Sequence, residues 1–338
     1  MKKQWIALIA LLVMVSLALV GCGGKTDNNA KALDGDQKKP LRVALILPSP
    51  KNDGGWSTTA YDALMALEKN YGVEVAYTES VKNTDAEEII RGYAVQGYDW
   101  IISHSFTYGD IVKGIAPDFP NIYFTVNSTD IFQAPNVSSF NYTKTQTGFI
   151  AGVVAALITE TNKVAGIGGK EIPSIIDYLE GFAKGAKYIN PDIEVTTILT
   201  GNFDDPAQAK ETAMAFIDRG VDVLTADADT ASLGVIQASQ ERGIYHIGVN
   251  ADQNSIAPNT VVTSALKRMT VAMDYIYNQI IDGKFEAKFY SLGVKEGAVA
   301  LAPYYGFEDK LPQEVKDKIN EILDDLANNK IDLANLPK

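Results

Sequence analysis

Leu41-Arg42-Val43-Ala44-Leu45-Ile46-Leu47 is an apolar run, and Asn52-Asp53-Gly54-Gly55-Trp56-Ser57 follows it after a proline-containing turn. Beyond that turn Ala60, Leu64, Leu67 and Tyr71 recur at i, i+4, i+7 and i+11, the spacing that puts one stripe on a helix. Strand, polar turn and helix make the opening of a βαβ unit. The runs from Val73 to Tyr77, Trp100 to Ile102 and Ile122 to Val126 continue it, each bounded by Pro, Gly, Asp or Asn. Thr84-Asp85-Ala86-Glu87 reads as a capping box that opens the next helix. Strands and helices alternating at this interval imply a parallel sheet flanked by helices.

The same grammar restarts further on. Lys163 to Ile167 reads as a strand, Pro173 to Tyr188 as a helix and Ile193 to Leu199 as a strand. Asp205-Pro206 supplies an N-cap with proline at the first helical position, opening a helix to Asp218. Val221 to Ala226, a helix from Ala231 to Arg242, and Ile244 to Val249 extend the series. Between the two series lie Val137 to Tyr142 and an apolar helix from Thr147 to Thr159. After them come a strand at Val261 to Ser264, a helix from Lys267 to Asp282, short strands near Tyr290 and Val299, and an amphipathic helix from Leu311 to Ala327. The expected architecture is α/β, with two doubly wound lobes joined by a hinge. Lobe one takes 40–145 and is completed by about 265–300; lobe two takes 146–264 and is completed by about 301–338. Open parallel sheets bind ligands at the carboxyl ends of their strands, so a site between the lobes is expected there.

The amino terminus carries a different signal. Lys2 and Lys3 precede an almost unbroken apolar run from Ile6 to Val20, too short for a comfortable membrane span but suited to a signal peptide over 1–21. Leu19-Val20-Gly21-Cys22 resembles a bacterial lipobox, in which the cysteine thiol takes diacylglycerol. Residues 22–39, rich in Gly, Asn, Asp and Lys, have the composition of a tether. Cys22 is the only cysteine, so lipidation leaves no thiol for disulfides, thiolate catalysis or metal ligation. The expected location is the extracytoplasmic face of a cell membrane. The net charge of −12 disfavours nucleic acid and anionic lipid surfaces as partners, so the anchor has to be the lipid. One acyl chain binds only marginally, and stable attachment needs two or three.

Signatures of catalysis are mostly missing. There are two histidines, His104 and His246, and no G-x-S-x-G elbow; two histidines without thiols make no zinc site. Gly166-Ile167-Gly168-Gly169-Lys170 falls short of a phosphate loop, because Val164 and Glu171 occupy positions that need Gly and Ser or Thr. No enzyme, metal or cofactor is expected; a cleft hydrolase would need a base and nucleophile pair.

The strand ends, by contrast, carry polar and aromatic groups. Asp53, Trp56 and Ser57 follow the first strand; Ser105 and Phe106, within Ser103 to Tyr108, follow the third; Asn127 follows the fourth. Matching positions in the second series hold Phe203, Asp229 and Asn250. Asp and Asn favour turns in any case. Several rings with polar neighbours on one sheet edge read as ligand-binding.

Several of these segments together resemble the basic membrane protein family of lipoprotein solute receptors of ABC transporters, which includes purine nucleoside receptors. The resemblance is carried by Asp53-Gly54-Gly55-Trp56, Glu180-Gly181-Phe182, Asn202-Phe203-Asp204-Asp205, Ile247-Gly248-Val249-Asn250-Ala251-Asp252-Gln253, Thr263-Ser264-Ala265-Leu266-Lys267 and Gly293-Val294-Lys295-Glu296-Gly297, in the family's order from about Leu41 to Leu301. It implies a type I periplasmic-binding-protein fold and capture of a purine base or nucleoside for an ABC permease in the membrane. It also implies that Trp56 and Phe203 stack on the base, with Phe106 close by. Asn127 stands where the family often has Asp, Asn250 where a carboxylate would grip a ribose diol, and Lys267 falls on the family's lysine. A sensor built on the same fold, without transport, has the same signals.

Overall fold

The computed structural model describes residues 40–52 and 56–337; the 1–21 signal peptide, Cys22 with its 22–39 tether, and Asp53 lie outside the described residues. The chain opens with β1 (Arg42–Ile46), α1 (Trp56–Tyr71), β2 (Glu74–Thr78), α2 (Asn83–Val95) and β3 (Trp100–Ser103). A 3-10 turn at Phe106–Tyr108 then leads to α3 (Gly109–Ile115), β4 (Tyr123–Asn127) and β5 (Val137–Tyr142). The second series is α4 (Lys144–Ile158), β6 (Lys163–Gly168), α5 (Pro173–Ile189), β7 (Glu194–Leu199), α6 (Pro206–Ile217) and β8 (Val223–Asp227). It continues through α7 (Ser232–Arg242), β9 (Tyr245–Asn250) and β10 (Val261–Lys267). Four elements close the chain: α8 (Met269–Ile281), β11 (Phe289–Leu292), β12 (Val299–Leu301) and α9 (Gln313–Ala327).

Two six-stranded sheets result, in the orders β11-β5-β4-β3-β1-β2 and β12-β10-β9-β8-β6-β7. Every described pairing between named strands is parallel except β10 with β12. The two orders are the same once the edge strands β11 and β12 are set aside, and both edge strands come from the last part of the chain. The return to the first sheet is therefore narrower than 265–300. Ala265, Leu266 and Lys267 still belong to the second sheet, paired with Leu301, Ala300 and Val299, because β10 runs on past Ser264.

Alternation along β1 shows why both faces of the first sheet are covered. Val43 and Leu45 pack with Ala60, Leu64 and Leu67 of α1, whereas Ala44 and Ile46 pack with Ile90 and Tyr93 of α2. Each fully buried Leu or Ile is worth about 1.5–3 kcal/mol over its exposed state. In the second series, Asp205 caps α6 as its sequence implies: its carboxylate accepts from the Gln208 amide at 3.0 Å, with Pro206 in the first turn. The Thr84 capping box does not form. Helix α2 opens two residues before that cap would place it, at Asn83, so Thr84 already sits in the first turn and donates to Asp85 at 2.8 Å.

Three crossovers join the sheets: Tyr142 to Lys144, Lys267 to Met269, and Leu292 to Val299. They are bonded to one another. The Thr143 amide donates to the Leu292 carbonyl at 2.9 Å, the Arg268 amide to the Ala298 carbonyl at 2.8 Å, and the Val294 amide to Gln146 Oε1 at 2.9 Å.

Candidate functional site

In the first lobe the groups at the carboxyl ends of β1, β3 and β4 form one chain of contacts. The Trp56 ring stacks on His104, with centroids 4.3 Å apart and planes 24° from parallel. His104 Nε2 lies 2.9 Å from the Trp56 carbonyl, which can only accept, so Nε2 carries the proton. In the neutral ring Nδ1 then accepts from Asn127 Nδ2, at 3.0 Å. This fixes the Asn127 amide, and its Oδ1 is left fully buried with no hydrogen-bond partner among the described residues. A buried orphan acceptor costs about 1–3 kcal/mol, and such a group calls for an explanation.

Other predicted residues of this lobe stand differently. Ser57 is buried in the first turn of α1. Ser105 spends its hydroxyl locally, accepting from the Thr107 amide at 3.3 Å and pairing with the Thr107 hydroxyl at 2.9 Å. Phe106 is 65% exposed, so it is no part of the packed wall around Trp56.

The second lobe supplies charge. At the end of β8, Asp227 Oδ2 accepts from Lys267 Nζ at 3.1 Å and Oδ1 from Asn250 Nδ2 at 3.0 Å, the two charged side chains being only 5% and 7% exposed. Burial alone would raise the Asp227 carboxyl; Lys267 and Lys144, with the Asn250 amide, outweigh it and hold the group below its ordinary value. Asn250 has a positive φ of 72°, and Asp229 has one of 46°. Backbone strain of this kind at strand ends is a feature of binding sites. A carboxylate is present on Asp227, and Asn250 is its hydrogen-bond donor. Phe203 lies against the backbone at Gly169, where a Cβ would meet its ring at 2.2 Å, and Lys170 Nζ sits 5.6 Å from its centroid.

The crossovers carry this wall from one lobe to the other. Met269 Sδ receives the Tyr142 hydroxyl at 3.3 Å and makes a long contact, 3.9 Å, with Asn127 Nδ2. Lys144 Nζ sits 5.4 Å from the Tyr142 ring centroid and interacts electrostatically with Lys267 and Asp227. Thus Trp56, Asn127, Asn250 and Lys267 belong to one connected region. His104, Asp227, Met269 and Lys144 were not among the predicted binding residues. Asp227 stands two residues before the expected Asp229. Lys144 was hidden because α4 starts one turn before the expected Thr147.

Comparison with known proteins fits this architecture. Residues 41–335 match the family described as ABC transporter substrate-binding protein PnrA-like. The chain is 30% identical over 288 residues to a purine-binding protein of Brucella abortus, covering 83% of this chain and 81% of that one. It is 29% identical over 316 residues to the transcriptional activator protein med of Bacillus subtilis, covering 93% and 95%. Among solved structures, an ABC transporter solute-binding protein from Conexibacter woesei superposes with a TM-score of 0.73 at 25% identity, over 88% of this chain and 98% of that one. A transcriptional activator of the comK gene from Bacillus halodurans superposes at 0.78 and 24% identity, over 88% and 100%, a likeness of fold.

Proposed function

This chain belongs to the PnrA-like family of ABC transporter substrate-binding proteins, and from that membership we propose that the solute it captures is a purine base or nucleoside. The family binds small solutes without transforming them and works at the extracytoplasmic face of the membrane, held there by lipid. The type I periplasmic-binding-protein fold of two doubly wound lobes provides the cleft.

The observation that carries the purine reading is the pairing of a flat wall with a buried acceptor. His104 backs one face of Trp56, so a planar solute takes the other, and Asn127 Oδ1 accepts one of its N–H groups. A purine offers that flat face and that donor edge together. Phe203 serves the second face of the ring, and Lys267 and Asn250, held by Asp227, serve its acceptor edge or a ribose. Asp53, Ser57, Ser105, Phe106 and Asp229 complete the set of proposed contacts. The purine-binding relative from Brucella abortus supports the same class.

Stacking on an aromatic ring is worth about 1–3 kcal/mol per base by alanine substitution, so Trp56→Ala or Phe203→Ala should weaken purine binding roughly 5- to 150-fold. Calorimetric titration beside a thermal melt checks this. Two variants that melt early yet bind purines as tightly as the parent would make both rings core residues, and the clamp would be lost.

Cys22 as the lipid acceptor is part of the proposal. In Cys22→Ser, membrane attachment should disappear on cell fractionation; full attachment of a processed mutant protein contradicts it. A sensing role is a second reading, favoured by the Bacillus subtilis relative named as an activator. The net charge of −12 counts against direct contact with nucleic acid. Uptake of labelled purine by cells with and without the protein separates delivery through a permease from sensing.

A further inference from the structure

His104, Asn127, Met269 and Tyr142 form a hydrogen-bond series that is self-consistent in one direction. His104 is held by its own backbone: its amide donates to the Ile46 carbonyl at 2.9 Å, extending the pairing of β3 with β1, and the residue is fully buried. The series starts at the Trp56 carbonyl, 2.9 Å from His104 Nε2. A carbonyl oxygen has lone pairs and no hydrogen, so it decides which ring nitrogen carries the proton. Nδ1, 3.0 Å from Asn127 Nδ2, is then the acceptor. The second hydrogen of Nδ2 is left for Met269 Sδ, 3.9 Å away, a sulfur that also accepts the Tyr142 hydroxyl at 3.3 Å. Both hydrogens of the Asn127 amide are thus engaged inside the protein.

Turning the amide over destroys this order. Oδ1 would then face Nδ1, lone pair against lone pair, and would face the sulfur in the same way, while Nδ2 would lose both acceptors. Moving the ring proton to Nδ1 relieves the first conflict only by setting a bare Nε2 against the Trp56 carbonyl. Each conflict costs as much as a buried polar group left unmatched. What the series leaves over is Asn127 Oδ1, buried, with no hydrogen-bond partner among the described residues and no hydrogen of its own.

We propose that His104 sets the hydrogen-bond polarity of the solute site: its Nε2–H tautomer locks the Asn127 amide, so that Asn127 offers the solute an acceptor and never a donor. The atom of the solute that reaches Asn127 must therefore carry a hydrogen; a bare ring nitrogen or a carbonyl oxygen there would meet another lone pair. The inference rests on the purine reading above for the presence of a solute at Asn127, and adds what the amide reads. His104 is a positioning residue. Its ring backs Trp56, and its two nitrogens orient Asn127.

The lock is tested without ligand, by nitrogen-15 NMR of the full-length mature protein labelled at histidine. The sequence has two histidines, so His246→Leu assigns the signals. At about pH 7.5, above the ordinary histidine pKa, His104 should carry a proton on Nε2 and none on Nδ1. In Asn127→Asp the carboxylate has no hydrogen to give Nδ1, so His104 should take up a second proton at the same pH, a response that a ring merely filling space would not give. A proton on Nδ1 in the parent, or an unchanged ring in Asn127→Asp, overturns the lock. Calorimetric titration with hypoxanthine and with adenine tests the consequence for binding, with thermal melts to show that each variant is folded. His104→Phe keeps a ring behind Trp56 and releases the amide, and should weaken binding of the purine that the parent holds roughly 3- to 10-fold, the range of one hydrogen bond. In an Asn127→Leu background the same change should cost less than about twofold, because no amide is left to orient. Equal losses in the two backgrounds make His104 a packing residue and overturn the proposal, with the purine reading left standing. A folded parent that binds neither purine nor their nucleosides overturns the purine reading and the solute half of this proposal together, while the NMR result still decides the lock.

Discussion

Gly152→Val should leave no folded protein, and even Gly152→Ala should cost about 3 kcal/mol or more, at the upper end of overpacking penalties. The reason is the contact between α4 and α5, where glycines on each helix admit the backbone of the other. A Cβ at Gly148 would lie 1.9 Å from the Tyr178 carbonyl oxygen, and one at Gly152 2.0 Å from that of Phe182. From α5, a Cβ at Gly181 would lie 2.2 Å from the Thr145 oxygen and one at Gly185 2.0 Å from that of Phe149. Backbone atoms cannot swing aside as a side-chain tip can, so the helices must separate along a face that is buried from Thr147 to Ala155. Helix propensity works in the other direction, because alanine gains about 1 kcal/mol over glycine in a helix interior. The clash should win. Gly114→Ala is the control: Gly114 lies in α3, with nothing within 4 Å of a Cβ, and this change should be neutral or stabilising by up to about 1 kcal/mol. Urea unfolding of the three proteins reads the difference. A Gly152→Ala protein as stable as the parent would show that the close approach is dispensable.

The same pair of helices shows what local pattern could and could not reveal. The strands were legible because each is a short apolar run closed by turn residues. The cap of α6 was legible because Asp205-Pro206 acts on its own helix. The start of α4 was not. Lys144-Thr145-Gln146 is polar because that turn faces the crossovers, where Gln146 bonds the Val294 amide, and not because it lies outside a helix. The length of β10 escaped for a similar reason, since Ala265 and Leu266 pair with both β9 and β12, and Lys267 with β12, partners remote in sequence. The site divides along the same line. Trp56, Asn127 and Asn250 could be picked out one by one, as ring or amide at strand ends, and Lys267 only through the family resemblance. Their partners could not, because the Trp56–His104 stack and the Asp227–Lys267 pair join segments brought together only by sheet order. A Thr-x-x-Glu pattern at Thr84 looked like a cap but was decided by the helix beginning two residues earlier than that cap requires.

Acidification should destabilise the protein through His246 well before most carboxylates titrate. His246 lies in β9, fully buried, and neither ring nitrogen has a hydrogen-bond partner among the described residues. Ile247 and Val249 belong to the large core that includes α4 and α5, so alternation turns His246 to the opposite face of the sheet. Burial pushes its pKa down from 6.5 to about 3. The folded state therefore keeps the ring neutral while the unfolded chain takes up a proton below its ordinary pKa. Stability from this group is complete above pH 6.5, falls as pH drops below it, and levels off near pH 3. Each pH unit in that window is worth about 1.4 kcal/mol, which gives roughly 2 kcal/mol by about pH 5 and about 4–5 kcal/mol at the acid end. These are large losses against a total stability of about 5–15 kcal/mol. His246→Leu removes the titration together with two orphaned nitrogens, so it should be at least as stable as the parent at neutral pH, with a lead that widens steadily toward about pH 5. Urea unfolding of both proteins from about pH 7.5 to 4.5 measures that gap. Stability curves that stay parallel across the window would mean that the folded protein opens enough at β9 to protonate the ring at no cost.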